Sequence, residues 1–162
     1  MVGIFAMVGC VYKAPLAKKQ KIKIDNAVVG LWQTADKAAE AAGAAGRLLV
    51  LEYTDSEYLV CYQDAKGSMY FRGYPIKVEG ISCVQLQLVG NADGSVKAED
   101  RKYQVVTYAL AADALEVRIL NGDVVSADLG TTEELKDAFT KNKDNEKLFS
   151  NPVKFVKVQA AK

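Results

Sequence analysis

Hydrophobic and polar residues alternate along much of the chain beyond residue 27, as in strands that bury one face. The pattern is clearest where Leu115, Val117 and Ile119 alternate with Glu116 and Arg118. Residues 84–88 repeat it with aliphatic residues and glutamines. Further runs rich in β-branched and aromatic residues, which favour strands, cover 28–34, 47–54, 58–63, 69–78, 103–110 and 124–129.

Short turn signals separate these runs: Asp55-Ser56, Lys66-Gly67, residues 91–94, Ala112-Asp113 and Asn121-Gly122. The Asn-Gly pair is the strongest of them, because both residues tolerate the positive φ of a tight hairpin turn. Strands joined this tightly are antiparallel neighbours. The pattern therefore predicts a mainly β fold, an antiparallel meander of about eight strands.

Residues 131–142 depart from the alternation and predict a helix. Thr131 and Glu134 stand at the spacing of a capping box, and the apolar residues that follow fall on one helical face. A last strand is predicted over residues 153–158. The alanine-rich segment 36–46 is compatible with either a short helix or a loop.

The chain opens on an apolar run, residues 1–9, that leads into Cys10. The stretch Met7-Val8-Gly9-Cys10 resembles the lipobox of a bacterial lipoprotein signal peptide, in which small residues before the cysteine admit a peptidase. The resemblance implies that Cys10 is the lipidated first residue of a mature chain, exported to the periplasmic or outer-surface side of the cell envelope. The alternative is that residues 1–9 form a buried strand and Cys10 an inert core thiol.

Five lysines and no acidic residue lie between Cys10 and Asp25. Such a segment is either a tether held near anionic headgroups or a solvated linker. We therefore divide the chain into a signal peptide remnant (1–9), a lipidated cysteine with a lysine-rich tether (10–26) and a single folded domain (27–162).

Composition removes several function classes. The 162 residues include no histidine, which excludes histidine triads, zinc–histidine sites and histidine pH switches. A net charge of +1 gives no basic face for nucleic acid. Nucleophile elbows, phosphate-cradling glycine loops and Cys-x-x-Cys pairs are also missing. We expect no metal, no cofactor, no nucleic-acid partner and no enzymatic activity.

Gly30-Leu31-Trp32, on the first predicted strand, resembles the Gly-x-Trp motif of lipocalins and the wider calycin group. In such a motif glycine permits close backbone approach and the indole plugs the closed end of a small barrel. The order of elements, about eight antiparallel strands, then a helix, then one more strand, is also similar. The resemblance implies a lipocalin-like closed barrel with Gly30 and Trp32 as its structural plug. In lipocalins a late-strand arginine usually packs over this tryptophan, whereas here the last strand offers only Lys154 and Lys157, with Arg118 farther back.

Tyrosines and one arginine are the candidates for recognition, since a tyrosine offers a broad contact face and a hydroxyl. The candidate ligand- or partner-binding residues are Tyr62, Tyr70, Arg72, Tyr74 and Tyr108. The segment 70–75 is also similar to one in small bacterial lipoproteins. The alternative is that these aromatic residues are simply good strand formers.

Cys61 and Cys83 form an even pair once Cys10 carries lipid. In an oxidising compartment they either make a cross-strand disulfide or stay free as thiols. The alternation of residues 84–88 puts Cys83 on the glutamine face of its strand, which predicts that it is not deeply buried.

Three functions from different classes remain. A non-enzymatic envelope lipoprotein that binds a small apolar ligand predicts a cavity of at least about 300 Å³ opening opposite Trp32. A structural or assembly module that docks an envelope protein predicts a packed interior and an exposed aromatic face around residues 70–75. A carboxylate-dependent hydrolase predicts two carboxylates on one concave site, about 5 to 9.5 Å apart for glycosides.

The lipobox resemblance makes a direct prediction. In chain purified from its own host, native mass spectrometry should show residues 1–9 removed and a lipid on Cys10, together with any retained ligand or partner. An intact, unmodified Met1 terminus would contradict the prediction.

Overall fold

The computed structural model describes residues 11–36 and 45–159, within which the chain forms nine strands and one α-helix. The strands are β1 Gly30–Thr34, β2 Arg47–Thr54, β3 Glu57–Asp64, β4 Gly67–Val78, β5 Ile81–Asn91, β6 Gly94–Ser95, β7 Tyr103–Ala111, β8 Ala114–Ile119 and β9 Val153–Lys157; the helix, α1, is Thr132–Lys141. The predictions for residues 1–9, for Cys10 and for residues 37–44 lie outside the described residues.

The strands close an antiparallel barrel in the order β4-β3-β2-β1-β9-β8-β7-β5, with β5 pairing back to β4. The short β6 extends the sheet beside β5. The predicted mainly β fold, an antiparallel barrel of eight strands with a helix and a final strand, is confirmed. The final strand is itself part of the barrel, since β9 lies between β1 and β8.

The predicted strand over residues 124–129 is wrong, and with it the hairpin at Asn121-Gly122. The backbone N–H groups of Val124 and Val125 both donate to the carbonyl of Asn121, which makes a turn rather than a ladder. Val125 is completely buried outside the barrel. The apolar side chains of this segment therefore pack outside the barrel and do not form a strand. The eighth strand of the barrel is β9.

The inward positions of the barrel strands form the first core, as the alternation predicts. Its buried members are Val28, Trp32, Leu48, Val50, Tyr58, Val60, Tyr62, Phe71, Val84, Leu86, Val106, Leu115, Val117 and Phe155.

A second core lies on the outer face of β4, β5 and β7. The helix α1 and residues 11–17 cover this face, and the buried members are Tyr12, Leu16, Ala17, Ile76, Val78, Cys83, Val105, Leu120, Val125, Leu135, Phe139 and Leu148. The prediction that Cys83 escapes deep burial is therefore wrong, since its side chain is 4% exposed. The alternation places it on the outer face correctly, but that face is covered.

The described part of the predicted tether, residues 11–26, differs from a solvated linker because it packs along the barrel. Tyr12 makes a strand-like bridge to Tyr103 on β7. Farther along, the side-chain amide of Gln20 hydrogen-bonds the backbone N–H and carbonyl of Lys77 on β4. We call residues 11–25 the strap. Its lysines stay exposed while its apolar residues face the barrel, which is why charge alone suggests a linker.

Gln85 fastens the strap to β5. Its Oε1 accepts hydrogen bonds from the backbone N–H groups of Leu16 and Ala17, at 2.6 and 3.2 Å, and its Nε2 donates to the carbonyl of Ala17 at 2.9 Å. The side chain is fully buried. A buried amide with its donors and acceptor satisfied stabilises the contact that it bridges.

The helix α1 begins as predicted. Thr131 Oγ1 accepts from the backbone N–H of Glu134, whose carboxylate accepts from the backbone N–H of Thr131, and this completes the capping box. Leu135 and Phe139 are buried in the second core. Across the described ranges, helices are too short or too polar to cross a bilayer.

Replacing Gln85 with methionine should lower the free energy of unfolding by about 2–4 kcal/mol, because two N–H groups and a carbonyl of the strap lose their partners in a buried place. Gln87→Met is the matched control, since Gln87 faces outward on the same strand, is half-buried and bonds the Tyr103 hydroxyl. Urea denaturation of both variants measures the difference. Equal losses would contradict the anchoring role.

Candidate functional site

The outer face of β9, β1, β2, β3 and β4 carries a row of apolar side chains that crosses five strands. Strand pairing aligns the row, which begins at Val158, the residue after β9, and runs through Leu31, Leu49, Cys61 and Tyr70. The next outward side chains toward one end of the barrel, each two residues from a member of the first row, form a second row of Leu51, Leu59 and Arg72. We call these eight residues, together with Tyr53 and Val156, the bare face.

Several members of the bare face are well exposed. The exposed fractions are 57% for Tyr53, 45% for Val156, 42% for Tyr70, 41% for Leu51 and 38% for Val158. The other side of the barrel is covered by α1 and the strap. Within the described residues, the barrel therefore has one covered outer side and one open side that carries exposed apolar side chains.

A buried carboxylate stands at the edge of the bare face. The Glu57 side chain is 2% exposed, and its two oxygens accept from Lys19 Nζ of the strap and from Arg72 Nη2, the latter at 2.6 Å. The Arg72 guanidinium carbon lies 5.4 Å from the centre of the Tyr53 ring, within the range of a cation–π contact. Glu57 therefore holds Arg72 in place while 41% of the arginine side chain stays exposed.

Opposing effects act on the pKa of Glu57. Burial alone would raise it, but hydrogen bonds from Lys19 and Arg72 and the charges of these two residues outweigh burial and lower it below its ordinary value of 4.5. Glu57 is therefore ionised in the folded protein at neutral pH, and its charge is matched by two cations.

The barrel end nearest the strap is closed by the chain that precedes β1. Tyr58 Oη accepts from the backbone N–H of Asp25 at 2.7 Å, and Tyr108 Oη donates to Asp25 Oδ2 at 3.0 Å. Burial, together with the neighbouring Tyr58 and Asp25, raises the pKa of Tyr108. The next residues form a 3₁₀ turn, Asn26–Val28, that brings Val28 into the first core.

Trp32 sits beneath this closure. Its Nε1 donates to the carbonyl of Val28 at 2.9 Å, and its side chain is 1% exposed. Lys157 Nζ lies 5.5 Å from the ring centre, so the late-strand cation over the indole is Lys157. Gly30 has a φ of +144°, and a Cβ there would lie 3.2 Å from Lys157 Cε. Glycine is therefore required both for the backbone and for the lysine stem that crosses it.

The barrel interior holds a cavity of about 60 Å³ lined by apolar side chains and two tyrosines. Its walls are Val28, Leu48, Val50, Tyr58, Val60, Val84, Leu86, Val106, Tyr108, Leu115 and Val117. Pockets for drug-sized ligands are about 300 Å³ or larger. This cavity, lined by described residues, is smaller than that size.

The predicted recognition residues fall into two groups. Tyr70, Arg72 and Tyr74 all face outward on β4, although Tyr74 is half-buried and its hydroxyl accepts from Gln85. Tyr62 and Tyr108 face the barrel interior with the first core. Two of the five predicted residues, Tyr70 and Arg72, therefore lie on the bare face, whereas Tyr74 packs against the second core and Tyr62 and Tyr108 against the first.

Sequence reasoning missed the centre of the bare face. The missed signal is the unbroken run Leu48–Leu51 in β2, where a half-buried strand should alternate with polar residues. Leu49 and Leu51 are the outward members of that run, and β9 repeats the pattern with Val156. Apolar residues at outward positions are the mark of a second contact surface.

Cys61 and Cys83 are free thiols, so the disulfide alternative is wrong. Cys61 lies on β3 and Cys83 on β5, with β4 between them. Cys61 pairs with Tyr70 and Cys83 with Ile76, so the cysteines are two strand spacings and six residues of β4 apart. This separation of roughly 20 Å is well beyond the roughly 7 Å that a disulfide spans. Burial raises the pKa of Cys83 to about 12.

Neither a family model, nor a curated protein, nor a solved structure matches the chain. Among residues 11–36 and 45–159, no cluster of three or more aspartate, glutamate or cysteine side chains is placed to hold a metal ion. The functional argument therefore rests on the geometry of the bare face and of the Glu57 cluster.

The lowered pKa of Glu57 gives a pH prediction. Because the folded-state pKa lies below the ordinary 4.5, the charged carboxylate adds stability above that pH and loses it as pH falls through the folded value. The gap in unfolding free energy between wild type and Glu57→Gln should be widest near neutrality and shrink below about pH 4.5.

The matched control is Glu116→Gln, since Glu116 forms a looser, exposed pair with Lys154 at 3.7 Å. The difference in unfolding free energy between wild type and Glu116→Gln should stay small over the whole pH range. Denaturation series between neutral pH and pH 3 test both variants. A Glu57→Gln gap that does not change with pH would contradict the account.

Proposed function

We propose that this protein is a non-enzymatic assembly module of the cell envelope, which docks a partner protein through the bare face. The observation that carries the proposal is the cross-strand apolar row on the uncovered side of a filled barrel. An internal cavity of about 60 Å³ leaves little room for a drug-sized ligand. Recognition on the outer surface is therefore better supported than recognition inside.

The composition of the bare face supports docking. Protein interfaces are enriched in tyrosine and arginine, and the largest contributions come from such residues when water is excluded around them. Tyr53, Tyr70 and Arg72 stand beside exposed aliphatic side chains on this face. Arg72 is held by Glu57 before any partner arrives, which lowers the entropy lost on binding.

The envelope location draws support from the lipobox-like segment that ends at Cys10. The strap adds a structural consequence, since Tyr12 is fixed to Tyr103 on β7 two residues after this cysteine. A lipid on Cys10 would therefore hold the barrel against the bilayer rather than on a long tether.

Photo-crosslinking in the native host tests the docking function. A benzoylphenylalanine in place of Leu51, which is 41% exposed on the bare face, should give a discrete adduct with one partner protein. The control places the same group at Lys136, an exposed residue of α1 on the covered side. Adducts at both positions, or at neither, would contradict docking through the bare face.

A further inference from the structure

We infer that the occupant of the bare face is an amphipathic, acidic helix of the partner, lying across the strands. The inference rests on the proposed docking function and names the chemistry of its partner. It draws on the size of the bare face, on its charge, and on the way α1 already packs on the same barrel.

The size of the bare face fits one helix. Eight strands close the barrel, so the row from Val158 to Tyr70 passes around about half of its wall, and a straight helix contacts only the central strands of the row, β1, β2 and β3. These three strands span about 10 Å, and the second row lies about 7 Å from the first. A helix is about 10 Å wide, and two of its turns are about 11 Å long. The two rows with their margins cover roughly 300 Å². A stable dimer needs about 800 Å² on each partner, so the face is small for a second copy of this chain.

The charge of the face indicates an acidic occupant. Charged residues at outward positions of β9, β1, β2, β3 and β4, among the described residues, are Lys154, Arg47, Arg72 and Glu57. Glu57 is buried and paired with two cations. Arg72 stands in the second row and Arg47 is the next outward residue of β2 after Leu49, whereas Lys154 lies farther along β9 and is partly offset by Glu116 at 3.7 Å. Carboxylates on the flanks of an incoming helix would pair with Arg47 and Arg72.

The fold itself shows that an outward strand surface of this barrel accepts a helix. On the covered side, α1 buries Leu135 and Phe139 in one cluster with Ile76, Val78 and Cys83, which are outward residues of β4 and β5. The bare face offers the same kind of surface, with aliphatic residues at outward positions. A partner helix with apolar residues at i, i+3, i+4 and i+7 would present the matching stripe.

Two synthetic peptides test the inference on the purified chain. Both are amphipathic helices of about four turns with a leucine stripe, and the flanking residues are glutamates in one and lysines in the other. Fluorescence anisotropy measures their affinity. The glutamate peptide should bind at least about fivefold more tightly. Leu51→Gln should abolish binding, and Arg47→Gln and Arg72→Gln should each reduce the preference.

The control variant is Lys136→Gln on α1, which should leave both affinities unchanged. Arg47 has an exposed side chain on β2, so Arg47→Gln keeps the test valid even if Arg72→Gln disturbs Glu57. Equal affinities, tighter binding of the lysine peptide, or binding that survives Leu51→Gln would each overturn the inference.

Two further outcomes identify a different occupant and overturn the inference as well. Leu51-dependent dimerisation in analytical ultracentrifugation would identify a second copy. Leu51-dependent binding to phosphatidylglycerol vesicles, with no peptide preference, would identify a membrane. If crosslinking from position 51 captures a partner protein while the peptides fail, only the helix inference falls. If crosslinking also fails, the docking function falls with it.

Discussion

The structure depends on the insertion of β9 between β1 and β8. On one side β9 pairs with β1, where Lys157 lies opposite Trp32, and on the other it pairs with β8, where Phe155 lies opposite Leu115. This pairing closes the sheet and leaves the barrel without an open edge at that seam. Closure brings the inward side chains of distant strands into one core and puts Lys157 over Trp32. The cavity that the inward side chains leave among the described residues is about 60 Å³.

That outer surface has two unlike halves. The strap and α1 cover β4, β5 and β7 with apolar contacts and with the buried amide of Gln85, so this half belongs to the fold. The opposite half keeps aliphatic and aromatic side chains in the open, beside an arginine fixed by a buried carboxylate. Exposed apolar surface costs free energy in water, and its concentration on one half is the observation on which the docking proposal rests.

Much of the fold can be predicted from local patterns, since alternation gives most strands and Thr131 with Glu134 gives the helix start. Long-range packing decides the rest. The valines near Val125 have strand composition but are buried against α1, and Gln85 looks like a surface residue until the strap covers it. On the site side, Tyr70 and Arg72 are found from composition, whereas Leu49 and Leu51 are missed because an apolar residue in a strand is normally assigned to the core. The sequence of a strand does not show which of its faces stays exposed, because that depends on which other segments of the chain cover the barrel.

The most direct test of this account is the reactivity of Cys61, which lies in the first row of the bare face, against that of Cys83, which is buried in the second core. Maleimide labelling with peptide mapping compares the purified chain with the chain in its native setting. We expect Cys61 to react in the purified chain and to be protected in the native setting, while Cys83 stays unreactive in both. Equal labelling of Cys61 in the two settings would show that nothing covers the bare face and would contradict the account.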